Sequence, residues 1–247
     1  MRLVGLEGLN EALLARALAA KVLKTNRVRA DTTGVPANIA YPTDSGLLAK
    51  GVAKMAKAVE RLKAGGLAPR VRTRDRTQLV RRHARSIGAN LRRRTGEAKD
   101  EVMAINARMA RAASEAVGEA RRVAVNARRR LRQLGTAAPL RLESLAHDLE
   151  VTAERVARIV RQTRQRLAGS VPEGATRLVS LHDPDARPIR KGRLGKPVEF
   201  GYKAQVVDNE DGIVLDHAVF IGNPPDAPCS SPPFNASASW LTMSPKR

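Results

Sequence analysis

Two long stretches of the chain place apolar residues at intervals of three and four, and this spacing most constrains the possible folds. Such intervals bring apolar side chains onto one face of an α-helix. The stretches cover residues 96–134 and residues 140–168. Gly135 and Pro139 interrupt the pattern between them, so the second helix can fold back on the first. We therefore predict an antiparallel helical hairpin, with an alanine-rich seam that lets the two backbones approach closely.

Three further helices are predicted upstream of the hairpin, over residues 5–23, 45–64 and 75–95. Asp44 or Ser45 could cap the second of these. Aromatic residues make up only 2% of the chain, so Ala, Leu and Val must fill most of the core. A core of that composition is usually helical, and it favours a fold that is mostly α with a small β part.

The β part is predicted from two regions of extended sequence. Residues 28–33 alternate apolar and polar side chains and predict a short strand with Asp31 at its end. Residues 200–207 and 213–221 flank a turn with the sequence Asp-Gly, which predicts a β-hairpin over residues 199–221. At most three strands are expected in total. Residues 229–247 lack helical and strand periodicity and are predicted to form a disordered tail.

The charge of the chain predicts the kind of partner. Lys and Arg total 45 against 24 acids, which gives a net charge of +21. Such a charge favours a polyanion, because binding releases counterions from phosphates. Double-stranded DNA is the expected partner, and an acidic membrane surface is the rival. We expect no membrane span, no signal peptide and a cytoplasmic, nucleoid-associated protein, since the sequence has one cysteine and no long apolar run.

Three regions are candidates for DNA contact, and the third is the loop with Lys191, Arg193 and Lys196, which could instead only keep a sheet edge soluble. The helix over residues 75–95 could neutralise phosphates without reading sequence, or it could be a solvated face of a bundle. The hairpin over residues 96–168 could grip DNA or a second protomer, or it could be only a spacer. The candidate DNA-binding residues are Arg81, Arg82, Arg85, Arg92, Arg93, Arg94, Lys191, Arg193 and Lys196.

Other chemistry has little support in the sequence. The segment 192–197 has too short a glycine spacing for a phosphate-binding loop, and Pro197 stands where Ser or Thr should be. The four histidines have no zinc-ligand spacing. Asp31 could hold a divalent cation at a strand end, where Mg²⁺ or Mn²⁺ prefers oxygen ligands, but on the residues alone a turn or capping role is the preferred interpretation.

Three blocks of sequence follow one another in a fixed order: residues 28–39 with 41–45, residues 180–192 with 195–203, and residues 222–228. They resemble, in turn, the first-aspartate block, the second and third strands, and the start of the next helix in DDE transposases of bacterial insertion sequences. The resemblance covers roughly residues 1–228. It implies an incomplete ribonuclease-H-like α/β domain interrupted by the helical hairpin. It also implies DNA transposition with Mg²⁺ or Mn²⁺, for which Asp31 would be the catalytic first metal ligand.

The resemblance divides the chain into four parts: an N-terminal helix and first strand (1–44), a helical insertion (45–168), a β-hairpin part (169–228) and an aberrant tail (229–247). The blocks that carry the other two catalytic acids are not found. We therefore expect a truncated fragment, through a frameshift or an interrupted gene. It would bind transposon ends, could form a homo-oligomer, and would be inactive alone, with or without metal.

Two other functions remain open. The chain could be a non-enzymatic basic helical DNA-binding protein or an inhibitor of an intact transposase. A basic protein at a membrane surface or on the ribosome is a weaker alternative, because no aromatic-anchored amphipathic helix is found.

Overall fold

The computed structural model describes residues 4–93, 95–191, 195 and 197–224, so the predicted disordered tail lies outside the described residues. The chain divides into two compact units. The sheet unit comprises residues 1–37 and 188–247, and the helical unit comprises residues 38–187. The helices are α1 (Val4–Ala19), α2 (Asp44–Ala64), α3 (Thr77–Leu91), α4 (Gly96–Leu134) and α5 (Leu140–Leu167), and the strands are β1 (Val28–Pro36), β2 (Arg187–Arg190), β3 (Val198–Asn209) and β4 (Val214–Phe220).

The predicted helical hairpin is confirmed within one residue at its ends. Thr95 caps α4, because its hydroxyl accepts a hydrogen bond from the Ala98 amide at 3.2 Å. α4 ends where Gly135 adopts a positive φ of 56°, a conformation that glycine adopts without strain. A short 3₁₀ turn, Gly135–Ala137, then leads into α5.

The predicted cap of α2 was wrong by one position. Thr43, rather than Asp44 or Ser45, accepts a hydrogen bond from the Gly46 amide at 3.1 Å. Asp44 is the first residue of the helix, where its negative charge interacts favourably with the positive end of the helix dipole.

Ion pairs between helices show how the four helices of the helical unit are arranged. Arg121 of α4 pairs with Glu154 of α5 at 2.7 Å, and Arg166 near the end of α5 pairs with Asp44 at the start of α2 at 3.0 Å. Arg76, just before α3, pairs with Glu119 in the middle of α4 at 3.0 Å. Arg128 of α4 also pairs with Glu150 of α5, so later residues of α4 meet earlier residues of α5 and the two helices are antiparallel. The start of α2 lies beside the end of α5, and α2 to α5 form a four-helix bundle.

The core of the bundle is continuous. Leu48, Met109 and Ile159 lie on three different helices, and each has a fully buried side chain. The predicted alanine seam is confirmed by small buried side chains on α4 and α5: Ala113, Ala120, Ala127, Ala146 and Ala153.

The sheet unit is organised around β3. β1 pairs antiparallel with β3 in a register that runs from Val28 opposite Asn209 to Pro36 opposite Gly201. β4 pairs antiparallel with β3, which confirms the predicted β-hairpin. At the hairpin turn, the Asn209 side chain accepts a hydrogen bond from the Ile213 amide at 2.8 Å.

Two predictions about the strands were wrong. In the described part of the chain the sheet has four strands, because Arg187–Arg190 also pairs with β3; the alternation of side chains gave no strand there, although the family resemblance implied one within residues 180–192. β1 also continues five residues beyond Asp31. It can do so because Gly201 has no side chain, since a Cβ there would lie 2.1 Å from the Val35 carbonyl oxygen.

The first helix is shorter than predicted. α1 ends at Ala19 rather than residue 23, and Lys21 then adopts a positive φ of 59°. In the described part of the chain, no helix combines the length and the apolar character needed to cross a membrane.

Candidate nucleic-acid interface

α3 presents a row of arginines because its opposite face is buried. Val80 and Ile87 pack into the core of the bundle. Arg81, Arg82 and Arg85 fall on the other side and are exposed. The sequence of α3 contains no Asp or Glu, so nothing on the helix itself neutralises these charges.

The arginines of this face are aligned. Arg81, Arg85 and Arg92 are separated by four and seven residues, which places them within about 40° of one another around a helix. Arg92 lies just beyond the last residue of α3 but keeps helical dihedral angles, with φ −73° and ψ −23°. The three therefore form a row about 16 Å long, which we call the α3 row.

The basic helix is shorter than the predicted span of residues 75–95. Arg92 and Arg93 follow α3 instead of lying within it, and both are exposed. Arg94, Arg193 and Lys196, which were also candidates, lie outside the described residues.

The α3 row differs from Arg76, its neighbour in sequence. Arg76 is only 10% exposed and lies between two glutamates of α4, 3.0 Å from Glu115 and 3.0 Å from Glu119. Within the described ranges, no ion pair involves Arg81, Arg85 or Arg92. Hydrogen bonds from Thr77, and to a smaller extent the positive charge of Arg81, lower the pKa of Asp75, which lies just before α3. Arg76 thus fastens α3 to α4, while the α3 row remains available to an external anion.

The pKa of His83 is affected by the positive charge where α3 meets α4. Its pKa is lowered, first by burial and then by the positive charges of Arg108 and Arg82. Arg108 belongs to α4 and Arg82 to α3, so the two helices bring cations to the same place.

Lys191 is differently placed from the other candidates. Its ammonium group pairs with the Glu199 carboxylate at 2.7 Å, and both side chains are mostly buried. The Lys191 stem passes over Gly34, where a Cβ would lie 2.8 Å from Cε. The structure therefore places the charge of Lys191 against an internal acid.

Asp31 lies in the middle of β1 with an exposed side chain. Its Oδ1 accepts a hydrogen bond from the Thr32 amide at 2.8 Å. Across the sheet, Asp31 is paired with Val206, which is paired in turn with His217. Asp208 projects from the same face as Asp31 but is engaged by Arg29 at 2.6 Å.

These surroundings do not fit a two-metal site. Two divalent cations need several carboxylates that converge on them. Among the described residues, Asp31 has no second carboxylate directed toward the same point, because Asp208 pairs with Arg29. Among the residues that the structure describes, no group of three or more His, Cys, Asp or Glu side chains is arranged to hold a metal ion.

The sequence analysis proposed that the hairpin could grip DNA, but it named none of the arginines on the outer face of α4. Arg111, Arg122 and Arg129 are all exposed and recur at spacings of eleven and seven residues. That spacing was visible in the sequence. It identifies an exposed row only once the opposite face of α4 is known to be buried.

The fold and the candidate site together define a four-helix bundle with an exposed arginine row, joined in sequence to a small antiparallel sheet. No protein-family model, curated protein or solved structure matches this chain.

Proposed function

We propose that this protein binds the phosphate backbone of double-stranded DNA through the α3 row. The observation that carries the proposal is the pairing pattern of the arginines. The bundle neutralises Arg76 internally, while Arg81, Arg85 and Arg92 are exposed on a helix without acids. Guanidinium groups donate hydrogen bonds readily to phosphate oxygens, and such interactions fix position without reading sequence.

The packing of α3 favours DNA over a membrane surface. A helix that binds a membrane must turn its apolar face toward the lipid. Val80 and Ile87 on the apolar face of α3 are already packed in the bundle, although Leu91 at the end of the helix is exposed. The exposed basic face suits an anion that lies along a surface.

We extend the proposal to DNA transposition on the strength of the sequence resemblance. The DNA would then be a transposon end, the sheet unit would be part of a ribonuclease-H-like domain, and Asp31 would be one metal ligand. Mg²⁺ or Mn²⁺ would require further carboxylates beside Asp31. The function that the described residues support by themselves is binding rather than cleavage.

A salt series tests the proposal. The dissociation constant for a fluorescent 24-base-pair duplex would be measured from 50 to 300 mM salt, with and without Mg²⁺. Replacing Arg81, Arg85 and Arg92 by Gln should weaken binding at least tenfold at low salt. The log–log salt slope should become shallower by up to about 2.7, because each phosphate that is no longer neutralised reduces the slope by about 0.9.

A matched control removes the same charge from paired arginines. Arg121, Arg128 and Arg161 form ion pairs with Glu154 or Glu150, and their replacement by Gln should change the slope much less. Equal effects in the two triple variants would mean that only net charge matters, and the α3 row would then have no special role. Mg²⁺-dependent nicking that Asp31→Ala abolishes would contradict binding without cleavage.

A further inference from the structure

The outer face of α4 carries a second aligned row of arginines, Arg111, Arg122 and Arg129. Eleven residues make about 3.1 helical turns and seven make about 1.9, so the three side chains emerge in nearly the same direction. All three are exposed. They extend over about 27 Å of the helix axis. We call them the α4 row.

Three other arginines of α4 form ion pairs, but those of the α4 row do not. Arg121 and Arg128 turn toward α5, where they pair with Glu154 and Glu150. Arg108 pairs with Glu101 on α4 itself at 2.9 Å. For the described part of the chain, no ion pair involves Arg111, Arg122 or Arg129.

Acids are absent from the second half of the α4 row, whereas Glu115 and Glu119 lie between Arg111 and Arg122 and pair with Arg76. Residues 120–142 contain seven arginines and neither Asp nor Glu. Between the first and second arginines of the row, the helix surface carries Gly118. The Arg122 guanidinium lies 3.8 Å from the position that a Gly118 Cβ would occupy, so this side chain lies along the helix.

The two rows border each other. Arg76, just before α3, pairs with Glu115 of α4 at 3.0 Å. Glu115 is one helical turn from Arg111, so α3 begins beside the first arginine of the α4 row. The basic surface therefore continues from α3 onto α4 and reaches residues near the end of the hairpin.

We propose that Arg111, Arg122 and Arg129 bind phosphates of the same DNA duplex that the α3 row contacts, so that the duplex lies along the bundle. This inference rests on the proposed DNA binding and adds its geometry. A 27 Å row matches about eight base pairs at 3.4 Å each. α4 has no Phe, Trp or Tyr on which unpaired bases could stack, so a duplex fits this surface better than a single strand.

The test uses the full chain and the same fluorescent 24-base-pair duplex. The triple variant Arg111→Gln, Arg122→Gln, Arg129→Gln should make the salt slope shallower by up to about 2.7. The control that replaces Arg121, Arg128 and Arg161 removes the same three charges and should leave the slope close to that of the unaltered chain. Replacing the α4 row by Lys should restore most of the slope, because lysine keeps the charge.

Duplex length gives a second readout. The unaltered chain should bind a 16-base-pair duplex more tightly than an 8-base-pair duplex. The ratio of the two dissociation constants should exceed the statistical factor that comes from the additional binding positions on the longer duplex. The α4-row glutamine variant should lose that gain. Circular dichroism would establish that every variant keeps its helices.

The outcomes separate the two proposals. An α4-row variant indistinguishable from the control, beside an α3-row variant that loses binding, would overturn this inference and leave DNA binding intact. An unaltered chain without salt-dependent duplex binding would remove both. Tighter binding of an RNA duplex of equal length, weakened by the α4-row changes, would overturn the assignment of the partner to DNA.

Discussion

The helical unit and the sheet unit are stabilised in different ways. The helical unit buries large side chains from four helices in one continuous cluster, among them Leu48, Met109 and Ile159. In the described residues of the sheet unit, the buried cluster comprises Leu14, Leu23 and Leu215, with two partly buried neighbours on α1. The sheet relies more on backbone pairing along β3, which runs opposite β1 for nine residues.

The charges of the two units also differ. In the sheet unit, Arg29 pairs with Asp208 and Lys191 with Glu199, while Arg27 and Arg190 have no ion pair among the described residues. The helical unit pairs some arginines and leaves two rows unpaired among the described residues. A large apolar core lets the bundle keep its fold while it holds uncompensated positive charge for a partner. The small core of the sheet unit offers less stability to offset such repulsion.

The largest expected effect follows from truncation of a core side chain. Leu48→Ala should lower the free energy of unfolding of the helical unit by about 3–5 kcal/mol, because a fully buried leucine leaves a cavity. Leu215→Ala should destabilise the sheet unit by only about 2 kcal/mol, since its small cluster can collapse. Urea denaturation and hydrogen exchange of peptides from each unit would measure both effects.

Leu13→Ala is the control for this pair, because that side chain on α1 is 65% exposed and should cost little. A loss of stability for Leu215→Ala equal to that for Leu48→Ala would break the distinction between the two cores.

A smaller effect is expected when alanine replaces either of two glycines, one of which faces a side chain and the other the backbone. In Gly51→Ala the new Cβ would meet Val156 Cγ2 at 2.3 Å, so we expect a loss of about 1–3 kcal/mol in the free energy of unfolding. Adding Val156→Ala should recover part of it, because the obstacle is one side-chain methyl. In Gly201→Ala the obstacles include the Val35 carbonyl oxygen of β1. This is a backbone atom, so a second side-chain substitution cannot relieve the clash.

Thermal unfolding of the single and double variants would check the first site, and hydrogen exchange of β1 the second. Gly88→Ala is the control, because a Cβ there meets nothing within 4 Å and alanine favours a helix. Destabilisation by Gly88→Ala, or no recovery in the Gly51, Val156 double variant, would contradict the packing argument.

The smallest effects should appear in the pH dependence. Burial and the charges of Arg108 and Arg82 lower the pKa of His83, so the folded helical unit favours the neutral imidazole. The unfolded chain takes up the proton first as pH falls through about 6.5, and stability is therefore lost below that pH. His83→Gln should flatten the decline in unfolding free energy between pH 7 and pH 5.

The corresponding change in the sheet unit should lie at lower pH. A hydrogen bond from Arg29 lowers the pKa of Asp208, so the contribution of this carboxylate is present above its ordinary pKa and lost as pH falls below about 4. Asp208→Asn should remove that decline and leave the pH 5 to 7 range unchanged. A sheet-unit transition near pH 6 in this variant would contradict the assignment.

Local patterns predicted the helices well, because helix formation depends on neighbours in sequence. The three-and-four spacing of apolar residues placed α4 and α5 within a residue of their ends. The strands were less predictable. β2 and the second half of β1 exist because β3 lies beside them, and Gly201 permits the close approach only in that pairing. The mid-strand position of Asp31 follows from the same pairing.

The sequence by itself determined the helices and the helical hairpin, the excess of positive charge and the helix that carries the α3 row. Only the tertiary structure decided which arginines face solvent and which face an acid. Arg81 and Arg121 are both exposed arginines on helices. Arg121 forms an ion pair with Glu154 because α5 packs against that side of α4, whereas Arg81 forms none among the described residues. A charge is neutralised by whatever lies within a few ångströms, and those neighbours come from distant parts of the chain.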